Sequence, residues 1–266
     1  MKALVRWGAT LGLLGSTLLG SVFVGNLPVL ALSEQQIKEK LDDVPVYLIT
    51  NNQGAPLSRP LSESETTGAS VTGVYMSRQE AQSFIKELQG VPGKDPKMEK
   101  MVNSLQVTAV PLGVIYQKLQ QSKNQSERLL FAFKPVEGEI KGAMELLRQS
   151  GQQINQFTSV PIFAVRFSPN QGYVPIQFKS DNNEELIPLF LSKQDAQGLL
   201  NQVKPKFPQA DIQVIDIDGV IKTLQDKDDP WLNQVVLVPS PESREYIKTL
   251  PRQGSNNSGT ARPQQR

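Results

Sequence analysis

The chain has 266 residues, 38% of them hydrophobic, enough for one large domain or two small ones with a real core. Its 28 basic and 26 acidic residues nearly cancel, and it holds neither cysteine nor histidine. That excludes disulfide bracing, Ser-His and Cys-His nucleophile systems, and the usual zinc ligands.

Lys2 and Arg6 precede an uncharged stretch from Trp7 to Ser33 that is dense in Leu, Gly and Val. Val29-Leu30-Ala31 then offers small residues at the −3 and −1 positions of a cleavage site. Ser, Gly and Asn interruptions favour a cleaved signal peptide over residues 1–31 rather than a retained anchor, although Gly8 and Gly12 form a GxxxG. A plastid transit peptide would be Ser- and Arg-rich without this apolar block. At the other end, residues 251–266 carry Arg252, Arg262 and Arg266 and no acid, in a Gln/Asn/Ser/Gly/Pro-rich tail expected to be disordered. Without both ends, 23 basic residues face 26 acidic ones, so no nucleic-acid-binding face is expected.

The body repeats itself. Val44-Pro45-Val46-Tyr47-Leu48-Ile49 reads as a strand and returns 116 residues later as Val160-Pro161-Ile162-Phe163-Ala164-Val165. Each is followed by a Gly-containing turn, Asn51–Gly54 or Pro169–Gly172, and a second short strand. A third strand ends at Val74-Tyr75-Met76 or Leu189-Phe190-Leu191. There the phrase Ser77-Arg78-Gln79-Glu80-Ala81-Gln82 recurs as Ser192-Lys193-Gln194-Asp195-Ala196-Gln197. The serine is a natural N-cap, and the acid three residues on predicts a capping box. Ala81, Phe84, Ile85 and Leu88, and again Ala196, Leu199, Leu200 and Val203, then mark one helix face.

The first half next inserts about ten residues. Val91-Pro92-Gly93 and Asp95-Pro96 form a loop, and Met98, Met101, Val102 and Leu105 make an amphipathic helical stripe. The ordinary reading, a helix covering the sheet, takes precedence for the stripe. The functional reading makes Met98, Met101 and Val102 a soft, adaptable client-binding surface. The second half has only the short link Phe207-Pro208-Gln209.

Strands at 105–110 and 212–217 follow, then helices containing Leu119 or Leu224, strands at 129–133 and 235–238, and helices ending near Leu147 and Leu250. The unit is β-β-β-α-β-α-β-α, twice. The fold class expected is α/β (α+β): two pseudo-symmetric repeats, 32–150 and 151–250, each a mixed sheet with packed helices and sharing a central interface.

Val214-Ile215-Asp216-Ile217-Asp218-Gly219 resembles the opening motif of haloacid-dehalogenase-type phosphatases, with Asp216 and Asp218 on one strand face beside Mg²⁺. The motif lies too late in the chain to be followed by the rest of that machinery, and the matching first-half positions, Val110 and Leu112, hold no carboxylate. Asp226-Lys227-Asp228-Asp229-Pro230 reads as a solvated connection rather than a Ca²⁺ loop.

Residues 40 to 250 resemble the Tic twenty-two family. The resemblance rests on Val44–Ile49, Ser77–Gln82 with its helix, Thr108–Leu119 and Val160–Phe163. These are soluble intermembrane-space subunits of the chloroplast inner-envelope import machinery and their cyanobacterial relatives. The resemblance implies a two-winged, pseudo-symmetric protein with apolar pockets, no catalytic residues and no cofactor. It also implies a chaperone-like role in outer-membrane barrel biogenesis, in the periplasm or also the thylakoid lumen. The expected partners are unfolded barrel precursors and the outer-membrane insertase. A small-ligand module with a pocket in each repeat is the second reading, and a Mg²⁺-dependent phosphatase using Asp216 and Asp218 the third.

Overall fold

The computed structural model describes residues 32–60, 70–122, 129–177 and 184–250; the expected signal peptide and disordered tail lie outside them. The chain opens with α1 (Glu34–Asp42), then β1 (Pro45–Thr50), β2 (Ser58–Pro60), β3 (Ser70–Tyr75), α2 (Arg78–Gly90), α3 (Pro96–Asn103), β4 (Gln106–Pro111), α4 (Leu112–Ser122), β5 (Leu129–Lys134) and α5 (Glu137–Gln149). The second half runs β6 (Pro161–Arg166), β7 (Ile176–Gln177), β8 (Glu185–Phe190), α6 (Lys193–Val203), β9 (Asp211–Asp216), α7 (Ile217–Asp226), a 3-10 helix (Pro230–Gln234), β10 (Val235–Val238) and α8 (Pro241–Thr249).

Each half builds one mixed five-stranded sheet with the same wiring. β3 runs antiparallel to β1 and β2 and parallel to β5, while β4 pairs antiparallel with β1. β8, β6, β7, β10 and β9 repeat these pairings. The ladders end alike: Met76 N donates to the Lys134 carbonyl as Leu191 N does to Val238, and Leu112 N donates to Val44 as Ile217 N does to Val160.

Successive side chains on a strand point to opposite faces, so a two-sided strand feeds two cores. On β1, Val46 and Leu48 enter a central core, while Tyr47 and Ile49 enter an outer one. On β6, Ile162 and Ala164 join the same central core, while Phe163 and Val165 enter a second outer one. The central core is therefore shared by both halves, with α1, α4 and α7 contributing Ile37, Leu41, Ile115, Val220 and Leu224.

The outer cores are closed by exchange. Ala143 of α5 lies in the cluster of Phe163, Val165 and Leu200 on the second sheet, whereas Tyr246 of α8 packs with Tyr47, Tyr75 and Ile85 on the first. Each half thus lends its last helix to the other. Where the exchange crosses, the expected capping boxes are replaced. Ser77 Oγ accepts from Glu80 N, but the Glu80 carboxylate reaches the α5 start, accepting from Glu137 N at 3.1 Å. Ser192 makes no side-chain cap, and Asp195 instead pairs bidentately with Arg244 of α8 at 2.6 and 3.0 Å. The borrowed helices supply the missing carboxylates: Glu139 of α5 accepts from Lys193 N on α6, and Glu242 of α8 from Gln79 N on α2, both at 2.8 Å. Anions at helix N-termini are favoured by unpaired N–H groups and by the dipole.

α1 and the 3-10 helix are additions that the repeat pattern does not contain. Ser33 and Gln36 cap α1 reciprocally. Lys40 donates to the carbonyls of Asn233 and Val235, tying α1 to the second sheet. Asp42, paired to Lys38 at 2.6 Å, sets its other oxygen against Gly113 at the start of α4.

A Cβ at position 113 would stand 2.2 Å from Asp42 Oδ1 and 2.5 Å from the Lys38 carbonyl oxygen, so Gly113→Ala forces α1 off α4. It is expected to destabilise by about 1–3 kcal/mol in urea unfolding. Gly219→Ala, 3.3 Å from the Asp216 side chain, should cost markedly less. Equal losses would place α1 farther from α4. A second test concerns Glu139, whose carboxyl is raised above its ordinary 4.5, chiefly by burial, with the Asp195 charge adding. The native chain holds this proton more tightly than the unfolded one. The group's contribution is therefore fully present below pH 4.5 and lost as pH rises through the raised value. Glu139→Gln keeps an acceptor for Lys193 N, so its stability relative to the parent should climb from pH 4.5 upward and then level off. A relative stability that falls over that range would mean the α6 terminus outweighs burial.

Candidate functional site

The inserted α2–α3 corner is built to be rigid. Lys94 Nζ donates to the carbonyls of Leu88, Gln89 and Val91, closing the C-terminus of α2 in the place where a glycine cap would otherwise serve. Gly93, at φ +75°, turns the chain as few other residues do. Asp95 Oδ1 accepts from Met98 N at 2.8 Å and Pro96 opens the helix, both strong start signals.

α3 packs against α2, not over the sheet. Val102 faces inward at 3% exposure, whereas Met98 and Met101 stand out at 48% and 44%. The reading of the stripe as a sheet cover is thereby corrected for the methionines: α3 lies chiefly against α2, and Val102 is its one buried residue. Of the three proposed client-binding residues, two present their side chains to solvent together and the third holds them there. Sequence reasoning passed over Val91, which joins them at 51% exposure. Its signal was a β-branched residue in a Pro-Gly loop, where no periodic partner exists to bury it. Val91, Met98 and Met101 are three of the five large hydrophobics that are exposed among the described residues.

The Asp-x-Asp-Gly motif does not form the phosphatase arrangement. β9 ends at Asp216, which N-caps α7 by accepting from Gly219 N at 2.6 Å. Asp218 lies in the first helical turn and accepts from Ser159 Oγ. One carboxylate ends a strand and the other rides a helix, so they do not share a strand face. In the register of the first sheet the position of Asp216 is held by Pro111, so α4 starts without a carboxylate cap of its own. Asp226 pairs with Lys222 one turn back, in keeping with a solvated connection.

Among the described residues, two clefts draw on both halves. One lies at the crossing of the exchanged helices, between Val44, Pro45, Val160 and Pro161, with Glu139 and Ser243 on its wall. The other runs between α1 and β10, from Leu32 and Lys40 to Val236. Neither is a pocket within one repeat.

A family model described as the Tic22-like family matches residues 14–249. The chain belongs to the Tic22-like family. The solved structure of Tic22 from Anabaena, described as protein transport, is 71% identical to it with a TM-score of 0.80, covering 84% of this chain and 100% of that one. Tic22 from Plasmodium falciparum is 18% identical with a TM-score of 0.58 over 80% of this chain and 96% of its own, a likeness of fold. No curated protein matches. The paired mixed sheets are thus the fold of the Tic22-like family.

Val102→Ala in this Tic22-like chain should destabilise by roughly 1–3 kcal/mol, as buried truncations do. Met98→Ser with Met101→Ser should stay within about 0.5 kcal/mol of the parent in the same thermal unfolding experiment. The reverse ranking would bury the methionines and leave Val102 outside.

Proposed function

We propose that this Tic22-like chain serves protein transport as an exported, non-enzymatic chaperone-like or adaptor protein of the periplasm, or also of the thylakoid lumen. It holds unfolded outer-membrane barrel precursors and passes them to the insertase. The observation that carries this reading is the rigid corner presenting Val91, Met98 and Met101 to solvent. A holding protein needs apolar contact that forms with many sequences and lets go again. Unbranched, polarizable Met side chains adapt to varied apolar partners. Three half-exposed side chains bury little further area, and at about 25 cal/mol per Å² that gives weak, reversible binding. Lys94, Lys97 and Lys100 flank the patch and keep it soluble.

Export rests on Lys2, Arg6, the apolar stretch to Ser33 and Val29-Leu30-Ala31. Barrel precursors and the insertase follow from the family resemblance. The transport description of the Anabaena relative supports the broader role. A small-ligand module with a pocket in each repeat is the second reading; the two clefts described above lie between the halves.

The test is suppression of aggregation of a urea-unfolded outer-membrane barrel protein. Met98→Ser with Met101→Ser should raise the concentration needed severalfold while the melting temperature holds. Unchanged suppression by this variant would remove the corner from the client surface. Failure of the parent chain to suppress aggregation at all would end the holding reading.

A further inference from the structure

The two exchanged helices are held very differently. α5 is anchored in its outer core through Ala143, with Leu146 packed beside it, also buries Leu147, and rides close over Lys193 at Gly142. α8 buries only Ser243 of its nine residues and adds one side chain, Tyr246, to the apolar cluster beneath it. Its hold is otherwise polar and aromatic. Glu242 accepts from Gln79 N at 2.8 Å, Arg244 forks onto Asp195, and Ser243 Oγ meets the Tyr47 hydroxyl at 3.1 Å. Tyr246 meets Tyr47 edge-on at 5.7 Å, with the Arg78 guanidinium 5.2 Å above its ring. α8 is also the last described element and follows the short link Pro239-Ser240, so its departure moves no other described helix or strand.

We propose that the seat of α8 on the first sheet is a docking surface for a helical segment of a partner protein, and that α8 is its intramolecular stand-in. The seat states the chemistry of its occupant. The unpaired N–H groups at the start of α2 ask for a carboxylate in the first helical turn, Asp195 asks for a guanidinium two residues later, and Tyr47 with Arg78 asks for an aromatic ring four residues after the acid. Glu242, Arg244 and Tyr246 meet these demands at that spacing. The partner segment is therefore a short amphipathic helix with an acid–x–Arg–x–aromatic pattern. Carboxylate at a helix start and guanidinium on a carboxylate fix its direction and register, while the aromatic ring supplies the apolar contact. The seat lies at the N-terminal end of α2 and the methionine corner at its C-terminal end, about 20 Å away along the 13-residue helix. This docking is thus independent of client holding.

A helix in cis taxes any helix in trans, because the seat is open only for the fraction of molecules in which α8 has left. The experiment uses the full chain and a fluorescent peptide of Pro239–Leu250, read by anisotropy. Tyr246→Ala in the chain leaves the seat intact and should tighten peptide binding by about tenfold or more over the parent. Glu242→Gln with Arg244→Ala in the chain should do the same by loosening the other end of α8. A peptide carrying Tyr246→Ala should bind neither. Hydrogen exchange on the parent should find α8 amides less protected than those of α5. The proposal is overturned if α8 exchanges faster in either variant and the peptide still does not bind. It is overturned too if both variants lose the fold, since α8 would then be core rather than a replaceable strap.

Discussion

Glu139 and Glu242 sit on the N-termini of α6 and α2, and through them each half hands its last helix to the sheet of the other. The exchanged helices complete outer faces that α2 and α6 already cover, α8 adding Tyr246 beside Tyr47 and α5 adding Ala143 to the cluster of Phe163. The contacts pair groups that each helix leaves unsatisfied with charges that the partner helix brings. They also hold two short helices in a fixed register, which apolar packing alone specifies poorly.

The central core makes the halves inseparable for a second reason. Val46, Val74 and Met76 from one sheet share a single cluster with Ile162, Leu189 and Leu191 from the other. The central strands β1 and β6 are buried on both faces, so each half would expose the apolar face that it turns to the shared core if it stood alone. Exposure of that kind marks an interface. The duplicated chain is a dimer written as one polypeptide, with residues 150–160 as its join.

Much of this was legible because the repeat states each strand and helix twice. The apolar, β-branched runs Val44–Ile49 and Val160–Val165 read as strands and form β1 and β6, and the Ser77 and Ser192 phrases start helices where expected. What the sequence hid was where the acids point. Glu80 and Asp195 sit at capping-box spacing, yet one reaches α5 and the other Arg244, because spacing sets what a side chain is able to reach locally and not what competes for it. The reciprocal box that does form, Ser33 with Gln36, starts α1, a helix outside the repeat and therefore without a second copy to draw attention to it. Asp216 kept a third reading open for a related reason. A carboxylate at the end of a strand reads alike whether it faces a metal or caps the next helix, and only the position of the first helical N–H separates the two. The methionine stripe has the period of a sheet-covering helix; its exposure follows from the Asp95-Pro96 turn, whose direction no periodicity encodes.

The two halves diverge most at the link between the phrase helix and the next strand, and the divergence has a direction. In the second half, Phe207 turns in against Phe167 at 4.7 Å, edge to face, and closes that corner onto the outer core. In the first half, about ten more residues fill the same place, and Val91, Met98 and Met101 go outward while Val102 turns in. A longer link alone would have cost little, since loop length enters stability only logarithmically. Here, though, the added chain is capped at Asp95, stapled by Lys94 and anchored by Val102, so it is ordered rather than slack. Ordering a helix only to leave Met98 and Met101 in water yields no stability in return. The apolar surface at this corner is what the proposed client contact rests on. The sealed corner of the second half, built on the same plan, shows that the fold itself does not require it.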